Sequence, residues 1–341
     1  MNPIPELENQ LLKTILFYET LNRNDLVRLT GLCPASITNH TRALLESGLL
    51  LATPRRKVAV KRPVEDLTIN PAVGRHLAIR LVGREMCAEL LNFAGSPISS
   101  AARTLSELTQ NCFFRVLEEL FDEAMESASR ENCTFLSGGI GIDGLVAPQP
   151  GVIFSINGFP EWEPCDLTGI LPRLRMIPEV RVWTRIICKT RGFAAARKCN
   201  HAIGYIEYTP GCFRFGTIQK GHPDLGYHGT ASNALHRTIS SASGLCYCGR
   251  RGCLAEALRH GTIAPEPLAE ALHDMLQAGK VRIAGVEWHD AVLPLEQLKE
   301  KKGAEPQIYP VSNEGDEFFR QGLRGLGIES AINRMTRKVI A

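Results

Sequence analysis

No run of apolar residues in this sequence reaches the ~18 that a helix needs to cross a bilayer, so no membrane-spanning helix is expected. The opening segment, MNPIPELENQ, lacks the basic start and apolar stretch of a secretory leader, so the expected location is the cytoplasm. A disulfide framework is missing too. Of eleven cysteines, Cys33, Cys87, Cys112, Cys133, Cys165, Cys188, Cys199 and Cys212 stand singly, as small buried hydrophobes do. Charge is modest. With 22% charged and 44% hydrophobic residues, a disordered chain is excluded, and 341 residues leave room for two or three domains.

What charge there is lies unevenly. Residues 1–63 carry nine bases against five acids, a net +4, while the whole chain carries +3, so everything after residue 63 is close to neutral. A basic N-terminal module on a neutral body suits a polyanionic partner.

Leu7, Leu11, Leu12, Ile15 and Leu16 form one stripe at helical spacing. Asn22 then caps a second, short helix, with Asp25 three residues on completing a capping box and Gly31 ending it. After the turn LCP, a third helix runs through ASITNHTRALLESGLL with Ile37, Thr41 (or Ala43), Leu44 and Leu45 inward, and stops at Gly48. Helix, short helix, tight turn, helix is the helix-turn-helix plan, whose last helix enters the major groove. Its outward residues Ser36, Thr38, Asn39 and Arg42 suit base edges and phosphates. LLATPRRKVAVKRP follows as two short β-like runs around a basic tip, a wing. Arg55, Arg56, Lys57, Lys61 and Arg62 would lie over the DNA backbone or in the minor groove.

From His76 the pattern changes. HLAIRLVGREMCAELLNFAGSPI reads as strand, turn, strand, turn. Residues 102–130 read as one amphipathic helix, and TFLSGGIGIDGLVAP as a buried strand leading into a glycine-rich turn. Strands alternating with helices argue for an α/β body.

Three segments of that body resemble the ROK family (repressor, open reading frame, kinase): KRPVEDLTINPAVGRHLAIRL, GGIGIDGLVAPQPGVIFSINGFPEW and GLCYCGRRGCLAEAL. The resemblance covers nearly the whole chain. It implies a winged helix-turn-helix followed by an α/β actin-like (ribonuclease H-like, sugar kinase) body of two lobes, in a homodimer or tetramer. The expected division is 1–72 for the DNA-binding module, 73–185 for the first lobe and 186–341 for the second.

Cys246-x-Cys248-Gly-x-x-Gly-Cys253 puts three thiols on a tight glycine-permitted turn. Three thiolates and a histidine make a closed tetrahedral set, the pattern of a structural Zn2+ rather than a catalytic one. The resemblance implies His222, after Gly221, as the fourth ligand. The spacer from His222 to Cys246 is longer than in the family, which keeps His228 and His236 open.

By the same resemblance, the kinase chemistry is gone. Aligning Ala194, Ala195 and Ala196 on the family's catalytic segment puts Arg191 where an aspartate base belongs, and a guanidinium cannot accept a proton near neutrality. The first phosphate loop reads Arg80-Leu-Val-Gly-Arg84, without its aspartate and one glycine. The second is TPGCFRFGT, where Phe213 and Phe215 are expected to block the backbone approach that phosphate needs. Asn157 matches a family sugar contact, Gln219 replaces a glutamate beside His222, and Glu256 falls one residue late, Ala255 standing in its place. Asn157, Gln219, His222 and Glu256 are the candidate ligand-binding residues, for an effector of the sugar or sugar-phosphate class. The expected function is a transcriptional regulator, a repressor first, that binds a double-stranded DNA operator, controls carbohydrate-related genes and has no catalytic residues. A protein-interaction role for the body is the alternative, and a carbohydrate kinase ranks last.

Overall fold

The computed structural model describes residues 5–55, 64–130, 133–147, 151–199, 201–209, 212–225, 236, 238–239, 244–246, 249–259, 265–289 and 306–337. Three helices open the chain: α1 (Glu6–Tyr18), α2 (Arg23–Thr30) and α3 (Pro34–Glu46). The Asn22 side chain accepts from the Asp25 N–H while the Asp25 carboxylate accepts from the Asn22 N–H, so two N-terminal donors of α2 are satisfied reciprocally. Gly31 ends α2 at φ 72°, a left-handed conformation that costs glycine nothing. On α3, Ile37, Thr41 and Leu44 are buried, and Leu45 is half-buried.

The wing is a ribbon of β1 (Leu50–Pro54) and β2 (Glu65–Ile69), antiparallel from Leu50↔Ile69 to Pro54↔Glu65. The expected second run inside LLATPRRKVAVKRP is therefore not the paired strand. Strand β1 pairs with the later segment that buries Leu67 and Ile69, and residues 56–63 lie outside the described residues. Leu21 and Leu67 exchange backbone hydrogen bonds, adding a third short strand to the ribbon.

Two five-stranded sheets follow the same plan. The first joins β3 (Arg75–Val82), β4 (Glu85–Asn92), β5 (Pro97–Thr104), β6 (Phe135–Ile142) and β10 (Val180–Thr184) in the order β10-β6-β3-β4-β5. Strands β3, β4 and β5 form an antiparallel meander, and α4 (Gln110–Arg130) returns the chain so that β6 lies parallel to β3. The second sheet joins β11 (Ile203–Thr209), β12 (Cys212–Gln219), β13 (His222–Pro223), β14 (Ile283–Trp288) and β15 (Gln307–Val311) in the order β13-β12-β11-β14-β15. There too a meander is followed by parallel pairings, β11 with β14 and β14 with β15. Three short strands lie between the sheets in sequence: β7 (Gly144–Ala147), β8 (Val152–Ile156) and β9 (Cys165–Asp166), the last followed by the one-turn α5 (Leu167–Ile170). The remaining helices are α6 (Arg185–Ala196), α7 (Leu254–Arg259), α8 (Pro265–Ala278) and α9 (Gly315–Arg337).

Two expectations need correction. The amphipathic helix begins at Gln110, not at 102, because Ala102–Thr104 pair with β4 as the end of β5. The glycines of TFLSGGIGIDGLVAP are not a turn: Gly138, Gly139 and Gly141 lie inside β6. A side chain at Gly139 would crowd Leu323 at 3.2 Å, so the absent Cβ is what admits the neighbour.

Compact packing divides the chain into Met1–Ile142 with Gln149–Val182 and Leu323–Ala341, and Asp143–Pro148 with Trp183–Gly322. The division is not the linear one at 72 and 185. The later part of α9 returns to the first unit, where Ile328, Ala331 and Ile332 join Leu11, Leu12, Ile15, Leu26, Ile37, Leu44 and Leu67 in one core. The buried Asn9 amide donates to the Ile332 carbonyl at 2.9 Å. A module that shares its core in this way is welded to its body.

Candidate nucleic-acid interface and metal group

Helix α3 presents its outer edge to solvent. Asn39 and Arg42 are exposed, and Ser36 and Thr38 half-exposed, with the Thr38 hydroxyl donating to the Pro34 carbonyl. Arg42 is thus the cation on the face proposed to read DNA. In the wing, Arg55 Nε donates to Asp66 Oδ2 at 3.1 Å at the strand end, with its own N–H bonded to the Val64 carbonyl. Arg56, Lys57, Lys61 and Arg62 lie outside the described residues. Sequence reasoning passed over Arg23, whose guanidinium donates to both Thr41 on α3 and Glu65 on β2.

His236, Cys246 and Cys253 come together, their Nδ1/Nε2 and Sγ atoms all within 4.8 Å of one another. A tight turn builds the group: Cys246 N–H bonds the Arg250 carbonyl, Gly249 N–H bonds the Cys246 carbonyl, and Gly249 and Gly252 take φ 84° and 79°. Cys253 then opens α7, bridged to Thr238. His236 Nδ1 lies 3.5 Å from Cys246 Sγ. Zinc–nitrogen and zinc–sulfur bonds at a tetrahedral angle subtend about 3.6 Å, so this edge fits the ion. Of the three histidines considered from sequence, His236 is in the group. His222 is exposed on β13, paired with Gln219, and does not join it, while His228 and Cys248 lie outside the described residues.

The four candidate ligand residues are divided between the two units. Asn157 is exposed in the turn before Gly158 (φ 88°) in the first unit. In the second, the Gln219 amide is spent on the Gly279 carbonyl, and Glu256 is buried on α7, its N–H bonded to the Cys253 carbonyl.

The position expected for a kinase base lies on α6, a helix buried on nearly every side from Ile186 to Ala194. Arg191 is 4% exposed there. Beside it, fully buried Lys189 bonds Glu207 Oε1 at 2.5 Å and Glu287 Oε2 at 2.7 Å, and the Tyr205 hydroxyl donates to Glu287 at 2.8 Å. Arg214 holds Asp143 through two hydrogen bonds and reaches Glu207 at 3.4 Å, and Arg185 reaches Glu207 at 3.0 Å. Burial pushes the Glu207 carboxyl up, but Arg185, Lys189 and Arg214 outweigh it and hold the group below its usual range. Burial, then the Glu287 charge, pushes the Tyr205 phenol far up, so it stays a donor. Each carboxylate at this centre is engaged by a cation. In the first unit, Arg80 stands where the first phosphate loop's aspartate is expected, 3.8 Å from Glu89, which Arg324 also grips at 2.7 and 3.1 Å.

Phe213 and Phe215 do not line a loop. They are buried on β12 with Ile206, Leu254 and Leu272, which corrects the expected blocking role: the rings are core, and Arg214 between them turns the other way to Asp143. The sequence carried a signal of the ion network that went unread, a lone Glu207 inside the apolar strand IGYIEYT.

The described fold is a winged helix-turn-helix followed by a body of two actin-like α/β units. Residues 85–267 match the ROK family, and the chain belongs to it. A putative xylose repressor of Caldicellulosiruptor sp. is 26% identical over 253 residues, 72% of this chain and 61% of that protein. The DNA-binding transcriptional dual regulator NagC of Escherichia coli is 21% identical over 242 residues, 70% of this chain and 58% of that protein. The chain therefore spans about three fifths of the length of these curated relatives. Among solved structures, a ROK family transcriptional regulator described as a homolog of the E. coli MLC protein superposes with a TM-score of 0.68 at 16% identity, covering 98% of this chain and 99% of that one. A ROK hexokinase from Thermus thermophilus superposes with a TM-score of 0.57 at 19% identity, over 75% of this chain and 97% of that one.

Proposed function

We propose that this protein is a DNA-binding transcriptional regulator, a repressor of carbohydrate-related genes, acting as a homodimer or tetramer on a double-stranded operator. The observation that carries the reading is α3: a helix anchored in the core by Ile37, Thr41 and Leu44, with Asn39 and Arg42 exposed along one edge beside a wing whose tip is basic in sequence. Ser36, Thr38, Asn39 and Arg42 meet base edges and phosphates, and Arg55, Arg56, Lys57, Lys61 and Arg62 meet the backbone. Repressors and regulators among the relatives support the assignment. Selection from a random duplex pool with the full-length protein and an Arg55/Arg56/Lys57→Ala variant tests it. A palindromic motif that the variant recovers more weakly is expected, and no enrichment over bulk DNA contradicts the reading.

The body is not a kinase on this reading. Arg191 cannot act as a general base, and the adjoining carboxylates are held by Lys189, Arg185 and Arg214. An effector of the sugar or sugar-phosphate class is proposed for the body. Zn2+ is held by Cys246, Cys253 and His236, with Cys248 as the fourth donor by the spacing of the motif. A closed set of this kind supplies folding energy rather than chemistry. Metal analysis of the purified protein should find zinc in equal ratio to chain. Cys253→Ser should lose it, and so should His236→Ala, whereas His222→Ala should keep it; the reverse pattern would return the assignment to His222.

A further inference from the structure

We infer that Arg23 is a positioning residue that clips the recognition helix to the root of the wing, fixing the angle at which the two elements meet DNA. The inference rests on the regulator reading above. Arg23 is the first residue of α2, on neither proposed DNA-contacting element. Its Nε donates to Thr41 Oγ1 on α3 at 3.1 Å and its Nη1 to Glu65 Oε2 on β2 at 2.8 Å. The Thr41 hydroxyl spends its own proton on the Ile37 carbonyl at 2.7 Å, so its lone pairs are available to the guanidinium. Thr41 is fully buried and adjoins Arg42, while Glu65 opens β2 opposite Pro54, the last pair before the wing tip. One planar fork therefore spans both elements, with two donors aimed at two acceptors. Lysine, a single point charge on a flexible stem, cannot reproduce that.

The acid in this clip is what makes the idea testable. A carboxylate beside a DNA-binding surface repels phosphate, so a purely electrostatic view expects tighter binding once Glu65 is removed. A clip expects the opposite for the selected duplex. The pair is part-exposed, 31% and 43%, and pairs of this kind contribute little to stability, so variants should stay folded.

The test uses the full chain and the duplex selected with it. Glu65→Ala should bind that duplex roughly five- to tenfold more weakly than the wild type, a loss on the scale of one misplaced contact. It should bind a scrambled duplex no more weakly. Glu65→Gln has the same charge as Glu65→Ala but keeps an acceptor for Arg23, and should recover much of the loss. Without DNA, trypsin should cut between residues 55 and 62 faster in Glu65→Ala than in the wild type, because the wing root is released. If Glu65→Ala binds the selected duplex as tightly as the wild type or more tightly, the clip is wrong and the regulator reading stands. If the wild type selects no duplex at all, the regulator reading falls and the clip falls with it.

Discussion

His76 is 1% exposed on β3, and its hydrogen bonds fix its tautomer. Ser137 Oγ donates to the Gly327 carbonyl at 2.9 Å, so His76 Nδ1 carries the proton and donates to the Ser137 carbonyl at 3.0 Å. Among the described residues Nε2 is buried without a hydrogen-bond partner, its ring against Gly327, where any Cβ would overlap it. Burial lowers its pKa to about 4, against which the Ser137 hydrogen bond is the smaller effect. An unfolded histidine protonates near pH 6.5, so between those values the unfolded state binds the extra proton and stability falls as the pH falls. Urea unfolding of the wild type should lose about 2 kcal/mol between pH 7.5 and pH 5 from this residue alone. His76→Gln should flatten that slope whatever its stability at pH 7.5, and an unchanged slope would place the proton uptake elsewhere. Glu207 acts in a lower window: its pKa is depressed in the fold, so its contribution is present above the unfolded carboxylate range and lost as pH falls from there through its own depressed value. Lys189→Met leaves Glu207 and Glu287 without their shared cation and should destabilise the second unit by about 3–5 kcal/mol, read as an earlier urea transition.

Helix α9 is the element on which both units draw. In the second unit it crosses α6 backbone to backbone: a Cβ at Gly322 would overlap the Cys188 carbonyl, and one at Gly192 the Phe318 carbonyl. Further along, the same helix buries Ile328, Ala331 and Ile332 in the winged-helix core. Ile332→Ala should cost about 2–5 kcal/mol and weaken operator binding, because the cavity opens under α1 next to the Asn9 bond. A melt shift with unchanged DNA affinity would show the two modules to be energetically separate. Helices α1 to α3 were legible in the sequence because their signals are local: the Asn22–Asp25 box, Gly31 and a 3.6-residue stripe. The return strand of the wing was not, since Glu65–Ile69 is chosen by long-range burial of Leu67 and Ile69 rather than by alternation near the tip. The start of α4 was missed for a related reason, Ala102–Thr104 being exposed edge-strand residues with no strong strand signature.

At the scale of the whole molecule, the body repeats one meander-and-crossover plan, and the motifs resembling a known family made that legible before the strands could be ordered. The metal group was half legible. Cys246 and Cys253 are fixed by a local turn, whereas His236 joins them and His222 does not, a difference that spacing along the chain does not encode. Arg191, standing where the resemblance expects a kinase base, could be read directly, but the ion network along that helix joins residues from 143 to 287 and is visible only in three dimensions. Among the described residues no helix is long and apolar enough to cross a membrane. What unites the molecule is the proposal that a body stripped of its chemistry carries a winged helix to DNA. Equilibrium titration of the full-length protein against the selected duplex and a scrambled one, at two salt concentrations, addresses that most directly. The selected duplex should bind at least ~10³-fold more tightly, with log affinity falling linearly with log salt as phosphate contacts release counterions. Equal affinity for both duplexes at either salt would contradict it.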